Sequence, residues 1–101
     1  ITPSLLHGDL WSGNYIISST GKPYLIDPAC YYGHSEVDMA MSKLFGGFNS
    51  NFYNAYYKII PQDDNTNTRI DLYQLYYLLV HLNLFGNSYY SSVKRILSKY
   101  F

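Results

Sequence analysis

Residues 7–14 read HGDLWSGN and residues 24–27 read YLID, and these two segments are the most informative part of the sequence. The first places a carboxylate, Asp9, five positions before a carboxamide, Asn14. The second is a short apolar run that ends on another carboxylate, Asp27. Each segment alone is ordinary loop or strand chemistry. A loop, a hairpin and a carboxylate at the end of the next strand form a combination that chance rarely assembles.

The two carboxylates and the carboxamide suit phosphoryl transfer of the kinase type. That chemistry needs one Asp to orient the attacking hydroxyl and accept its proton, and an Asn and a second Asp to hold Mg²⁺. Asp9 is therefore the candidate base. Asn14 and Asp27 are the candidate metal ligands, because hard cations prefer oxygen atoms.

Other polar residues near these segments are interpreted as structural. His7 is expected to hold the loop through a backbone hydrogen bond. Asp38 is expected to brace the same loop or to cap the helix that follows it. His34 and Glu36 lie near the site, where loop-to-helix structure is the simpler interpretation, and His81 is interpreted as a core or groove histidine.

Composition excludes several classes of function. The chain has 101 residues, of which 48% are hydrophobic and 14% charged, a globular composition. Seven basic and seven acidic residues provide no basic stripe for nucleic acid, and no run approaches the ~20 apolar residues of a membrane span. The lone Cys30 excludes an intramolecular disulfide framework. We expect a cytoplasmic protein without a nucleic-acid or membrane partner.

Apolar spacing and turn residues predict one hairpin followed by four helices, an α+β fold that is predominantly helical. Glycine, Asn and Ser residues mark the predicted helix ends. The predicted strands are 4–6, 15–17 and 24–26, and the predicted loops are 7–14, 28–36 and 61–68. Of the four predicted helices, the first begins after residue 36 and the second after residue 49. The third spans 70–85, and the fourth begins at Ser88 or Ser91.

The same motifs resemble those of the fructosamine kinase (ketosamine 3-kinase) family over nearly the whole chain. The HGDLxxGN element alone indicates only the wider aminoglycoside phosphotransferase and choline kinase group. Trp11 and Ser12, with the DPA and YGH segments, narrow the resemblance to the fructosamine kinases. The matching segments are residues 6–14, 25–29, 32–38, 44–48, 72–77 and 81–83.

The resemblance implies an enzyme that uses ATP and Mg²⁺ to phosphorylate the sugar 3-hydroxyl of ketosamines, on small amines or on glycated proteins. The product breaks down and releases the amine, which is a deglycation repair. By this correspondence Asp9 is the base, and Asn14 and Asp27 are the metal ligands. Trp11 forms either a wall of the sugar pocket or a packing contact of the loop. The implied fold is the carboxy-terminal lobe of a protein-kinase-like fold.

Only part of such a kinase is present in the sequence. No Gly-rich loop precedes residues 7–14, and Lys22, Lys43 and Lys58 all follow them, so the nucleotide-binding lobe has no candidate. We therefore expect residues 1–101 to form a single partial domain that lacks the amino-terminal lobe and is inactive on its own. An apolar face left by the missing helices would favour self-association.

Two alternatives remain open. A kinase for another hydroxyl compound, such as an aminoglycoside or a choline-like molecule, is disfavoured by Trp11 and by the lack of an acidic cluster for a polycation. A non-catalytic binding module would predict the loss of Asp9, Asn14 or Asp27, and all three are present.

Overall fold

Two small antiparallel sheets and four α-helices make up the chain in the computed structural model, which describes residues 2–101. The predicted α+β, predominantly helical class is confirmed. The elements are β1 (Ser4–Leu6), β2 (Tyr15–Ile17), β3 (Pro23–Leu25), β4 (Tyr31–Gly33), α1 (Glu36–Phe45), α2 (Ser50–Ile59), α3 (Thr66–Phe85) and α4 (Tyr90–Tyr100), with 3₁₀ turns at Ser12–Asn14 and Asn87–Tyr89.

The helix ends lie close to where the sequence places them. Gly46 ends α1 with a φ of 78°, in the left-handed region that glycine adopts at low cost, and its N–H donates to the Ser42 carbonyl. The Asn49 side chain caps α2 by accepting a hydrogen bond of 3.1 Å from the N–H of Phe52. Gly86 closes α3 in the same manner as Gly46 closes α1.

Strand β4 lies within a segment, residues 28–36, that the sequence predicted to be a loop. It pairs antiparallel with β1 in a register that places Leu5 opposite Tyr32. Three residues are too few to show an alternating pattern, and β4 exists because β1, far away in the sequence, supplies its hydrogen bonds. The other pair, β2 with β3, is the predicted hairpin. Its second strand begins at Pro23, one residue before the predicted start.

Helix α3 begins at Thr66, four residues before the predicted start at Ile70. The prediction took the polar segment 61–68 for a loop. In the structure the Thr66 hydroxyl accepts a hydrogen bond of 2.9 Å from the N–H of Asp63, and Asp63 accepts two from Arg69. Asp63 lies just before the helix, and Thr66 and Arg69 lie in its first turn, so these polar side chains join the preceding segment to the start of α3.

Two apolar clusters hold the helices together. The first joins the loop before β2 to α1 and α3, and the second joins α3 to α4. Leu10 of the 7–14 loop belongs to the first cluster. Burial of its side chain therefore holds this loop against α1. The buried members of the first cluster are Leu10, Met39, Ala40 and Ile70, and those of the second are Leu78, Val93 and Ile96.

A polar contact also ties the end of α4 to α3. The carboxylate of Asp71 accepts hydrogen bonds from the Tyr100 hydroxyl at 2.6 Å and from Lys99 Nζ at 3.0 Å. Burial alone would raise the pKa of Asp71, but the two hydrogen bonds outweigh it and lower this pKa below the usual value. The charged form of Asp71 therefore stabilises the packing of α4.

Among residues 2–101, none of the helices combines the length and the apolar character that crossing a membrane would require.

Candidate active site

Asp9 and Asn14 are in direct contact. The Asn14 Nδ2 group donates to the Asp9 carboxylate over 2.9 Å and to the Asp9 backbone carbonyl over 2.8 Å. Both amide hydrogens are thus used on Asp9, which orients the amide and leaves its acceptor oxygen, Oδ1, for a cation or solvent. The 3₁₀ turn Ser12–Asn14 makes this contact possible, since the Asn14 N–H returns to the Trp11 carbonyl at 2.9 Å.

His7 joins the loop to the end of β3. Its Nδ1 accepts a hydrogen bond of 3.2 Å from the N–H of Asp9, so its Nε2 carries the hydrogen and donates to the Ile26 carbonyl at 2.8 Å. These two partners define the neutral tautomer of the ring. With both ring nitrogens engaged in structure, His7 has no free nitrogen with which to carry a proton.

The Asp38 carboxylate holds the first two residues of the 7–14 loop through their backbone N–H groups. Its Oδ2 accepts from the N–H of His7 at 2.8 Å and its Oδ1 accepts from the N–H of Gly8 at 3.0 Å. Both are charge-assisted hydrogen bonds, the stronger kind. Gly8 is needed here, since its φ is +86° and a Cβ would lie 2.7 Å from the carbonyl carbon of Ala29.

Asp27 lies at the end of the hairpin, next to the loop but not bonded to it. The N–H of Ile26 donates to the Asn14 carbonyl at 2.9 Å, which holds the end of β3 against the end of the loop. Asp27 itself has a φ of 50°, a left-handed conformation that costs energy for any residue except glycine and that Asp tolerates better than most. Strained residues of this kind concentrate at functional sites.

The oxygen atoms available at this position suit a hard cation. Asp27 offers a carboxylate and Asn14 an amide oxygen. No group of three or more His, Cys, Asp or Glu side chains in the described part of the chain could hold a metal ion by itself. Mg²⁺ does not need such a group, because it usually binds one or two carboxylates and completes its shell with phosphate oxygens and water.

A cleft of about 450 Å³ opens beside Asp9. Trp11 forms one wall, and the end of α1 and the end of α3 form the others. Asp9 is the one carboxylate in the lining formed by the described residues, so the cleft presents a single acidic group against aromatic surface. The lining residues are Asp9, Trp11, Met41, Phe45, His81, Phe85 and Tyr89.

His81 is the polar residue of this cleft that sequence reasoning did not assign to a site. Its Nδ1 lies 2.7 Å from the Tyr77 carbonyl, and because a carbonyl only accepts, Nδ1 carries the hydrogen. In the neutral ring Nε2 is then an acceptor. Three aromatic rings surround the imidazole with centroids 4.8 to 5.5 Å away, those of Phe45, Tyr89 and Phe85.

A second polar cluster fixes the start of α1 to α3. Glu36, only 6% exposed, accepts hydrogen bonds from Arg69 and lies 3.1 Å from His34 Nε2. The other ring nitrogen of His34 contacts the Tyr73 hydroxyl at 2.9 Å. The hydrogen bond from Arg69 to Glu36 raises the pKa of the guanidinium further above its usual range. His34 and Glu36 are thus placed in a structural network, and neither lines the cleft beside Asp9.

Comparison with known proteins shows the family of the chain. The sequence profile of the fructosamine kinase family matches residues 1–101. The chain belongs to the fructosamine kinase family. It is 55% identical over 100 residues to a protein of Lactiplantibacillus plantarum named "Probable ketoamine kinase", with 99% of this chain and 36% of the relative covered. It is 51% identical to the chloroplastic protein-ribulosamine 3-kinase of Arabidopsis thaliana, with 99% and 30% covered.

The fold of the family is also known from crystal structures. One is the crystal structure of a protein of Haemophilus somnus 129PT named "Putative fructosamine-3-kinase". It matches with a TM-score of 0.82 and 39% sequence identity, over 96% of this chain and 34% of that chain. The chain therefore spans about a third of the length of the family members it matches.

Proposed function

We propose that this chain is the carboxy-terminal part of an ATP- and Mg²⁺-dependent kinase that phosphorylates a sugar hydroxyl of ketosamines. One observation carries the proposal: the Asn14 amide is fixed on the Asp9 carboxylate, at the rim of an open aromatic cleft. This is the arrangement that positions a hydroxyl-activating base next to a metal ligand. The names of the relatives, ketoamine kinase and protein-ribulosamine 3-kinase, support the ketosamine substrate.

In this proposal Asp9, Asn14 and Asp27 have separate tasks. A sugar hydroxyl that enters the cleft donates its proton to Asp9 while its oxygen attacks the γ-phosphorus of ATP, and the bond to ADP breaks. The Asn14 hydrogen bonds keep Asp9 oriented toward the cleft. Asn14 and Asp27 would hold Mg²⁺, which would supply positive charge next to the transferred phosphoryl group.

The cleft favours a ketosamine, whether on a small amine or on a glycated protein, over a polycationic substrate. Trp11 offers an aromatic face for the sugar ring, and it is 39% exposed, as a residue that contacts a ligand must be. An aminoglycoside carries several positive charges and would need more carboxylates than Asp9. We therefore rank another hydroxyl substrate second and a non-catalytic binding module third.

Three further parts of the proposal concern the domain, the self-association and the location of the protein. The chain forms one partial domain and lacks kinase activity alone, because the residues that cradle the nucleotide phosphates lie in the part of the relatives that it does not cover. It also exposes large apolar side chains, such as Leu5, Tyr32 and Tyr76 at 63 to 73% exposure, and these favour self-association. We place the parent protein in the cytoplasm, where the single cysteine, Cys30, would stay reduced.

The test is transfer of phosphate from ATP to a fructosamine and to a ribulosamine. It compares the parent protein, its Asp9→Asn variant, its Asp71→Asn variant and this chain alone. We expect transfer by the parent and by Asp71→Asn, a loss of about 10²–10⁴-fold in Asp9→Asn, and none by this chain. Asp71→Asn is the matched control, because it removes a carboxylate that is engaged with α4 and lies outside the cleft.

Each other result would contradict part of the proposal. No transfer by the parent to either sugar, with transfer to choline or to an aminoglycoside, would establish the second candidate. No transfer to any of these compounds would favour the binding module. Full activity of Asp9→Asn would remove Asp9 from its role as the base.

A further inference from the structure

We propose that the Gly46–Gly47 turn is a positioning element for the catalytic loop. It fixes Ser12, and through Ser12 it sets the positions of Trp11 and Asp9 relative to α1. The role in catalysis rests on the proposed kinase function, whereas the positional role does not. Gly47 is the decisive residue of the turn.

The loop and the turn are in close contact. The N–H of Ser12 donates to the Gly46 carbonyl at 3.1 Å. Gly47 has a φ of +104°, and a Cβ built on it would overlap the Cβ of Ser12 and lie 2.9 Å from its Cα. These Ser12 atoms belong to the backbone or adjoin it, so no rotation of a flexible side chain could relieve the overlap. A side chain at Gly47 would therefore push the loop away from α1.

Displacement of Ser12 would reach both sides of the site. Ser12 begins the 3₁₀ turn that places Asn14 on the Asp9 carboxylate. On its other side Ser12 adjoins Trp11, the wall of the cleft. The Trp11 ring also covers Gly13, where a Cβ would lie 2.9 Å from its Cζ3 atom, so the indole and the turn move as a unit.

Gly46 provides a matched control within the same turn. Its φ is +78°, so an alanine there has a strained backbone just as an alanine at Gly47 would. No atom lies within 4 Å of the position that its Cβ would occupy. Gly46→Ala therefore carries the strain of a left-handed residue without the contact with Ser12. The difference between the two variants isolates the positioning contact.

The first experiment uses the fluorescence of this chain, in which Trp11 is the only tryptophan. We expect Gly47→Ala to shift the Trp11 emission to longer wavelength and to increase its quenching by acrylamide, with Gly46→Ala close to the unmodified chain. Far-UV circular dichroism must show that the helices of both variants are retained. Equal fluorescence changes in the two variants would overturn the proposal.

The second experiment measures transfer in the parent protein. A misplacement of about 1 Å can cost about a hundredfold in rate, so we expect kcat to fall by about that factor in Gly47→Ala and by much less in Gly46→Ala. A merely structural role would lower the melting temperature of both variants without separating their kcat values. If the parent transfers phosphate to no substrate, the proposed function fails, while the fluorescence comparison still decides the positional role.

A second pair of variants approaches the same contact from the loop, in case Gly47→Ala does not fold. Ser12→Val adds a second branch at the Cβ that packs on Gly47, whereas Ser12→Ala keeps the Cβ and removes only the hydroxyl. We expect the fluorescence shift and the loss of kcat in Ser12→Val and neither in Ser12→Ala. A Ser12→Val variant that matches Ser12→Ala in both measurements would overturn the proposal.

Discussion

Replacement of Asp38 by Asn should destabilise the chain more than its small chemical change suggests. The carboxylate accepts hydrogen bonds from two consecutive backbone N–H groups, those of His7 and Gly8, at 2.8 and 3.0 Å. An Asn side chain has one acceptor oxygen and one NH₂ group. It can therefore keep only one of the two hydrogen bonds, and it turns a donor toward the other N–H.

The expected loss follows from the two contacts. A hydrogen bond to a charged group contributes about 1.5–3 kcal/mol, and a donor left without an acceptor costs about 1–3 kcal/mol. The remaining neutral hydrogen bond retains roughly 1 kcal/mol of the original interaction. We therefore expect Asp38→Asn to lower the free energy of unfolding by about 2–4 kcal/mol. For a domain of this size that is a fall of about 8–30 °C in the melting temperature.

Urea unfolding followed by Trp11 fluorescence is the appropriate assay, because Trp11 lies in the loop that Asp38 supports. Asp64→Asn serves as the control, since Asp64 is exposed in a loop, and a change below about 0.5 kcal/mol is expected there. A loss below about 1 kcal/mol in Asp38→Asn would refute the reasoning, because the loop would then hold its position without the two hydrogen bonds.

Three other predictions concern the core, a glycine and pH. Ile96→Ala should cost about 2–5 kcal/mol in urea unfolding, and Leu97→Ala, on the half-exposed neighbour, below about 1 kcal/mol. Gly8→Ala should lower stability by at least about 1 kcal/mol more than Gly21→Ala, since both have positive φ but only Gly8 faces backbone atoms. Hydrogen bonds lower the pKa of Asp71 in the folded chain. The stabilisation of the fold by these hydrogen bonds is therefore fully present above the usual Asp pKa of about 3.9, and it is lost as the pH falls through the lower pKa of the folded chain. Acid melting curves should show this loss, and Asp71→Asn should reduce it.

Local signals in the sequence were sufficient for most elements. The helix ends at Gly46 and Gly86 and the cap at Asn49 were predictable, because one residue and its immediate neighbours determine them. The loop at 7–14 and the hairpin after it were equally local. The Asp9–Asn14 contact could be predicted as a proximity, since five residues of a tight loop separate them.

Features that depend on distant partners could not be predicted in this way. Strand β4 needs β1, and its three residues carry no pattern of their own. The far wall of the cleft comes from His81, Phe85 and Tyr89, which read as ordinary helix residues until α3 is placed against α1. The resemblance to the family singled out residues 44–48 and 81–83, and that was the one signal in the sequence for this wall.

The contacts of the 7–14 loop also determine the order in which the parts of the molecule can reach their native positions. Its supports come from far along the chain: His7 reaches Ile26 across 19 residues and Asp38 across 31. Helices form from neighbours in sequence, whereas these closures must wait until the chain has doubled back on itself. An intermediate with formed helices would therefore have no fixed position for Asp9. Recovery of the hydrogen bond between Asn14 and Asp9 would then be a late step in refolding, and full helicity would not show that this contact has formed.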